Sequence, residues 1–277
     1  MAIRSDSSEA LQEKLVALEN ILSEMDSVVV AYSGGADSAL LSAVAHSTLG
    51  IRALSVTASS PSLAPSELTY ATDVARQIGL HHRVLETMEL EREDYRANGP
   101  DRCFFCKDEL YSQLGRIAHN EGFSWVVNGA NTDDLGDHRP GLDAAKRHNV
   151  RSPMVEAGLA KKEIRDISRG MGLVTWDKPA QACLSSRIPY GIPVSEETLN
   201  RIANAEGFLR SLGFSQLRVR HHDTIARIEV DSSEMDRFFE EQVRREITDH
   251  FRSIGYSYVA LDLDGFRSGS LNEILPA

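Results

Sequence analysis

Ser27-Val28-Val29-Val30-Ala31-Tyr32-Ser33-Gly34-Gly35-Ala36-Asp37-Ser38 carries the strongest fold signal in the chain. Four β-branched or small apolar residues in a row, with no polar alternation, are what a strand buried on both faces requires. The run stops at Ser33-Gly34-Gly35, and an Ala/Leu-rich segment follows that predicts a helix over about 38–46. Upstream, Leu11, Leu15, Leu18, Ile21 and Leu22 share one face of a helix over 7–25. Downstream come a strand over 52–57, a helix over 66–78, a strand over 82–86, an irregular stretch holding Cys103 and Cys106, a helix to about 121 and a strand over 125–128. Strand–helix alternation of this kind calls for a parallel sheet with helices on both faces.

Pro189, Gly191 and Pro193 interrupt regular structure, which sets a domain boundary near residue 190. Beyond it the pattern predicts a helix over 196–212, strands over 216–220 and 224–230, a helix over 234–254 and a last strand over 256–261. The expected fold class is therefore α/β, with a parallel-sheet domain over 1–190 and a smaller α+β domain over 191–277. No internal repeat or low-complexity tract occurs.

The 277 residues contain 30 Lys plus Arg and 41 Asp plus Glu, a net charge of −11. So acidic a chain disfavours constitutive binding of a polyphosphate backbone. Apolar runs such as Val28–Tyr32 fall far below the ~20 residues of a membrane span, and Met1–Ala10 has no apolar export core. The expectation is a cytoplasmic protein. Three cysteines, an odd number, argue against a disulfide framework and for thiol or metal chemistry.

Between a buried strand and a helix, Ser33-Gly34-Gly35-Ala36-Asp37-Ser38 can cradle phosphate. Glycines let backbone N–H groups approach, and the helix N-terminus adds positive potential. Ser33 and Ser38 can donate to the same oxygens, and Asp37 can hold Mg²⁺. The plain alternative is an ordinary turn with Asp37 or Ser38 as helix cap. The string resembles the signature of the PP-loop ATP pyrophosphatases. That resemblance implies a Rossmann-like domain that binds ATP and transfers its adenylyl group, releasing pyrophosphate. It also implies that Gly129 and Asn131, in Asn128-Gly129-Ala130-Asn131-Thr132-Asp133-Asp134, line the nucleotide site, with Thr57 near the adenine. No Walker-type or dinucleotide-type glycine motif is present.

Cys103-Phe104-Phe105-Cys106 forms a C-x-x-C, and Cys183 stands alone. By spacing, three thiolates can hold a [4Fe–4S] cube and leave its fourth iron open. A zinc site completed by histidine, a redox pair, or unrelated buried cysteines satisfy the same spacing. Three longer blocks, Pro100–Lys107, Lys178–Arg187 and Arg218–Glu229, resemble the LarE sulfur transferases, and the likeness runs over essentially the whole chain. It implies an enzyme that adenylates the carboxylates of pyridinium-3,5-biscarboxylic acid mononucleotide and converts them to thiocarboxylates for the nickel-pincer nucleotide. That family has two sulfur strategies: a lone cysteine matching Cys183 that surrenders its sulfur, or a cluster on cysteines matching Cys103, Cys106 and Cys183. All three are present here, so the cluster form is the expectation, and Cys183 is essential in either. The resemblance also implies a homo-oligomer, with a hexamer as one size.

Activating a carboxylate with ATP needs cations against phosphate. Lys107, Lys178 and Arg187 flank the cysteines, and Lys107 and Arg187 join Cys183 as expected catalytic residues. The family pattern assigns Arg218 and Arg220 to substrate phosphate, with Glu206 as their partner; a solvated edge strand is the alternative. His221 and His222 point to opposite sides of a strand, so at most one could ligate a metal. Two rivals stand beside the main reading. A PP-loop tRNA thiolase conflicts with the charge of −11, and a non-catalytic nucleotide sensor has no use for three cysteines.

Overall fold

The computed structural model describes residues 3–136 and 140–267, with side chains from residue 9 onward. The chain runs α1 (Ile3–Glu24), β1 (Val28–Ala31), α2 (Ala36–Leu49), β2 (Ala53–Ser59), α3 (Pro65–Ile78), β3 (His82–Glu86), α4 (Glu93–Arg96), α5 (Arg102–Glu121) and β4 (Trp125–Asn128). It continues through α6 (Pro140–Arg147), α7 (Pro153–Glu156), α8 (Lys161–Gly170), α9 (Glu196–Ser211), β5 (Leu217–His222), β6 (Ile225–Val230), α10 (Glu241–Ser253) and β7 (Tyr258–Leu261). Two compact units result. The first holds residues up to 60, then 67–89 and 101–181; the second holds 61–66, 90–100 and 182 onward. The expected boundary near residue 190 lies inside the second unit, and residues 268–277 of the expected second domain lie outside the described residues.

In the first unit four parallel strands pair in the order β3-β2-β1-β4, as the strand–helix alternation predicts. The valine run behaves as a strand buried on both faces. Val28 and Val30 join Leu18, Leu22, Leu40, Leu41, Ile164 and Ile167 on one side, while Val29 joins Leu54, Val56, Leu110 and Leu114 on the other. Successive side chains of a strand alternate faces, so one run feeds both cores. The chain steps outward from β1 to β2 and β3, then returns to pair β4 with β1. This reversal makes the C-terminal ends of β1 and β4 a topological switch point, where open α/β sheets bind ligands.

In the second unit β5 and β6 form an antiparallel hairpin and β7 adds in parallel to β6. Leu217, Val219, Ala226, Ile228 and Val230 pack on Ala205, Leu209, Ile247 and Phe251 of α9 and α10.

Two expectations are corrected. Cys103 and Cys106 do not lie in irregular chain but in the first two turns of α5, which begins directly after Pro100-Asp101. Phe104 packs against the first unit's core, and burial of that face outweighs the weak helix propensity of Cys and Phe. The helix expected over 234–254 is broken: a 3-10 segment, Ser232–Phe239, precedes α10, and Glu240 between them is extended (φ −68°, ψ 124°). Residues 140–170, for which the sequence reading offered no element, form α6, α7 and α8.

Candidate functional site

The phosphate-loop residues are arranged by contacts that only glycine permits. Gly34 has φ +73°, and a Cβ there would stand 2.7 Å from Ala71 Cβ of α3. Tyr32 Oη donates to the Ala71 carbonyl at 3.1 Å, so α3 is held against the loop. Gly35 caps α2 without any side-chain hydrogen bond. The alternative in which Asp37 or Ser38 caps the helix is thus not realised: neither is the N-cap, although the Asp37 carboxylate accepts from its own backbone N–H in the first turn. Ser33 N–H donates to Ser38 Oγ at 3.1 Å, the two hydroxyls lie 3.1 Å apart, and Ser38 Oγ donates to the Gly35 carbonyl at 3.2 Å. Both serines therefore sit in one hydroxyl cluster beside that helix end.

The second patch meets the first at the β1–β4 switch point. A Cβ on Gly129 would lie 3.0 Å from the Ser38 nitrogen, so the absence of a side chain lets this segment lie on α2. Asn131 Nδ2 donates to Asp37 Oδ1 at 3.4 Å, and Asn131 Oδ1 accepts from Asp133 N–H at 3.1 Å. Burial and the neighbouring Asp134 push the Asp37 carboxyl up, while Lys161 and Arg165 pull it part of the way back. Two carboxylates near each other at a phosphate-type loop are suited to a divalent cation. Thr57 is buried in β2 with its Oγ1 2.8 Å from His82 Nε2, which leaves only its backbone to meet a ligand. Burial pushes His82 down, toward the neutral ring.

Cys103 is exposed and Cys106 half-buried, three residues apart in the first two turns of α5. Lys107 follows, half-buried, with its Cγ 3.2 Å from where a Cβ on Gly141 would stand, so α6 packs closely on its stem.

In the second unit, Cys183 is exposed and precedes the short 3-10 turn Leu184–Arg187. Its carbonyl accepts from Ser186 Oγ at 2.7 Å and Ser186 N–H at 3.0 Å. Arg187 is only 2% exposed. Its Nη1 donates to the carbonyls of Ala182 (3.1 Å) and Cys183 (3.4 Å) and to Ser186 Oγ (2.8 Å), and its Nε donates to Glu206 at 2.7 Å. Arg187 thus fastens the backbone that presents Cys183. Ser62, Tyr95 and Ser185 form a second clamp through hydroxyl contacts of 2.6 and 2.7 Å, and the Ser62 carbonyl accepts Leu184 N–H at 2.9 Å.

The basic strand is not a solvated edge: Arg218 and Arg220 are 7% and 3% exposed. Arg220 makes a two-pronged pair with Glu229, both contacts 2.9 Å, and donates to the Ser186 carbonyl at 2.7 Å. Glu206 binds not Arg218 or Arg220 but Arg187, Arg210 and the Val219 N–H. Burial alone would raise the Glu206 carboxyl, but Arg187, with Arg210 and that N–H, outweighs it and holds it below the usual carboxylate range. Arg218 has no carboxylate partner among the described residues; it lies over Phe266, 4.6 Å from the ring centroid. Burial and the Arg187 and Arg220 guanidiniums lower it to about 10. A buried cluster with cations in excess is an anion site in the making. His221 Nδ1 lies 3.2 Å from Tyr256 Oη.

The loop, Gly129, Asn131 and Thr57 therefore gather in one unit, and Cys183, Arg187, Arg218, Arg220 and Glu206 in the other. Among the described residues no three His, Cys, Asp or Glu side chains form a ready metal group. Cys103 and Cys106 share a helix turn, and none of the three thiols is committed to a disulfide, so each has the chemistry of an iron–sulfur ligand. Sequence reasoning missed Lys161, Arg165 and Asp134 beside Asp37, and Ser62 and Tyr95 behind Cys183. No local motif marks Lys161, Arg165, Ser62 or Tyr95, which only the tertiary fold brings in; Asp134 ends the Asn128–Asp134 patch, where it was given no role of its own.

No protein-family model matches the chain. It is 44% identical over 265 residues to an uncharacterized protein of Synechocystis sp., covering 96% of this chain and 99% of the relative. It is 36% identical over 268 residues to the pyridinium-3,5-bisthiocarboxylic acid mononucleotide synthase of Lactiplantibacillus plantarum, covering 96% of each. An uncharacterized protein of Methanocaldococcus jannaschii is 29% identical over 259 residues, 92% of this chain and 98% of the relative.

Proposed function

Because this chain belongs to the LarE-type sulfur transferases, the family of the pyridinium-3,5-bisthiocarboxylic acid mononucleotide synthase, we propose that it is the ATP-dependent enzyme that replaces carboxylate oxygen with sulfur on pyridinium-3,5-biscarboxylic acid mononucleotide. The product would be the bis-thiocarboxylate that builds the nickel-pincer nucleotide. The observation that carries this reading is the 36% identity over 96% of both chains, which takes in both compact units and not the phosphate loop alone.

The chemistry divides between the units. In the first, Ser33, Gly34, Gly35 and Ser38 receive the phosphates of ATP, and Asp37 shares Mg²⁺ with them. Thr57, Gly129 and Asn131 bound the nucleotide. A substrate carboxylate oxygen attacks the α-phosphorus, pyrophosphate leaves, and a mixed anhydride forms. Lys107 offsets the charge that develops. In the second unit Arg218 and Arg220 hold the mononucleotide phosphate, and Glu206 acts through Arg187 to keep the cluster of guanidiniums in place. Arg218 is the best-suited ligand, since, unlike Arg187 and Arg220, it makes no carboxylate ion pair among the described residues. A sulfur nucleophile then attacks the acyl carbon and AMP departs with the oxygen.

Cys103, Cys106 and Cys183 would hold a [4Fe–4S] cluster. When bound, such a cluster supplies an iron corner without a protein ligand, where sulfide can be carried. Arg187 and Ser186 orient the Cys183 backbone toward that task.

The test is iron and acid-labile sulfide on anaerobically reconstituted wild type and Cys103→Ala, with pyrophosphate release followed in the presence and absence of the pyridinium substrate. Roughly four of each per chain, lost in the variant, is the expected result. No iron in wild type, with dehydroalanine at 183 after turnover, replaces the cluster with a sacrificial Cys183: its Sγ bonds the acyl carbon, Hα leaves as a proton and Cβ–Sγ breaks. Pyrophosphate release that ignores the substrate would overturn the adenylation step.

A further inference from the structure

Lys178 reaches the phosphate loop beside Glu67 and Tyr70 of α3. Its side chain is 12% exposed, and Nζ lies 2.8 Å from Glu67 Oε2. The same nitrogen is 3.5 Å from the Gly34 carbonyl and 3.6 Å from the centroid of the Tyr70 ring. Arg165 fixes the backbone behind it, donating to the carbonyls of Trp176 at 3.4 Å and Lys178 at 3.1 Å. Glu67 and Tyr70 belong to α3, the helix that Gly34 and Tyr32 hold against the loop.

An ammonium group mostly removed from water needs a reason to be there. Glu67, the Tyr70 ring and the Gly34 carbonyl each take a share of its three donors, and the Gly34 contact, long at 3.5 Å, sets the ammonium on the loop itself. Its place at Gly34 puts it where the polyanion of the nucleotide must arrive if the loop binds ATP. We propose that Lys178 is a ligand of the ATP phosphate chain, kept in a resting position by Glu67 and Tyr70 and released to the phosphates when the nucleotide enters. This assignment rests on the nucleotide reading of the loop. In it Glu67 competes with phosphate for one cation, so the carboxylate tempers affinity for ATP. Exchange of that partner adds a favourable contact without introducing a new charge to the site. No bond is made or broken in the exchange.

Equilibrium ATP binding by calorimetry on the full chain tests it, with wild type, Lys178→Met, Glu67→Gln and the double variant. Lys178→Met should weaken ATP binding by about tenfold or more, the loss expected for a charge-assisted contact. Glu67→Gln should tighten it by about two- to fivefold, in keeping with a part-exposed ion pair. The gain from Glu67→Gln should vanish when Lys178 is already Met, because a general change in field would persist there. Wild-type affinity retained in a folded Lys178→Met overturns the assignment and leaves the nucleotide reading standing. If wild type itself binds no ATP, the nucleotide reading fails and Lys178 falls with it. Should Lys178→Met not fold, Lys178→Arg within about threefold of wild type and a tightened Glu67→Gln support the assignment; an unchanged or weakened Glu67→Gln overturns it.

Discussion

Arg187 and Asp37 show how single side chains are committed in opposite ways. Arg187 spends its donors on Glu206 and on the backbone around Cys183. Truncating one member of a buried pair leaves a charge without its partner. Arg187→Ala should therefore cost the second unit about 3–5 kcal/mol, read as a shifted urea midpoint. Asp37 is held in the reverse state: burial and Asp134 raise its carboxyl, so the ionised form weighs against the folded protein at neutral pH. Asp37→Asn should raise the stability of the nucleotide-free protein by about 0.5–1 kcal/mol in thermal unfolding. If Asp37 holds Mg²⁺ as proposed, the same variant should lose ATP-dependent pyrophosphate release. A stabilised and still active Asp37→Asn would remove Asp37 from the metal role.

Among the elements, the junction of β1 and α2 is the most constrained. Gly34 combines a left-handed backbone with a 2.7 Å approach to Ala71. Gly34→Ala should cost about 2–4 kcal/mol, because strain and overpacking add. Gly129→Ala meets the backbone of α2 at 3.0 Å from the Ser38 nitrogen. It should weaken ATP binding by about tenfold while changing stability by less than about 1 kcal/mol, since the segment can move back from the loop. The loop and its strand were legible because hydrophobic runs and glycine punctuation are local signals. The start of α5 was not. Cys103-Phe104-Phe105-Cys106 has weak helix propensity, and only packing of Phe104 in the first unit's core decides its state. The short helices over 140–170 were hidden for the same reason: each is too brief to show a period, and Ala144, Met154 and Ile164 are ordered by the core they enter.

Across the whole molecule, acid should act in two waves. Burial lowers His82 in the first unit and His221 in the second, so each folded ring resists protonation. The stability they contribute is present above about pH 6.5 and falls as pH drops through that value toward the lowered ones. Glu206 is held below its ordinary range, so its contribution is present above about pH 4.3 and is lost as pH falls below that value and through the lowered folded one. Urea midpoints at pH 7.5, 5.5 and 4 should decrease in that order. The net charge of −11 makes a second expectation, that tRNA is not retained in filter binding even at low salt. Retention with a steep salt dependence would favour the tRNA-thiolase rival.

The sequence by itself determined the parallel sheet, the position of the phosphate-type loop, the paired strands carrying Arg218 and Arg220, and the cysteine inventory. Each is written in neighbouring residues: period, glycine spacing and residue type. Only the tertiary structure decided which groups those residues meet. Asp134 reaches Asp37 because β4 pairs with β1, and Glu206 is matched to Arg187 and not Arg218 because α9 packs on β5. Lys178 is paired with Glu67, 111 residues away along the chain, at a loop from which both are remote in sequence. Charge and hydrogen bonding act through distance in space, and that distance is settled by how the cores close.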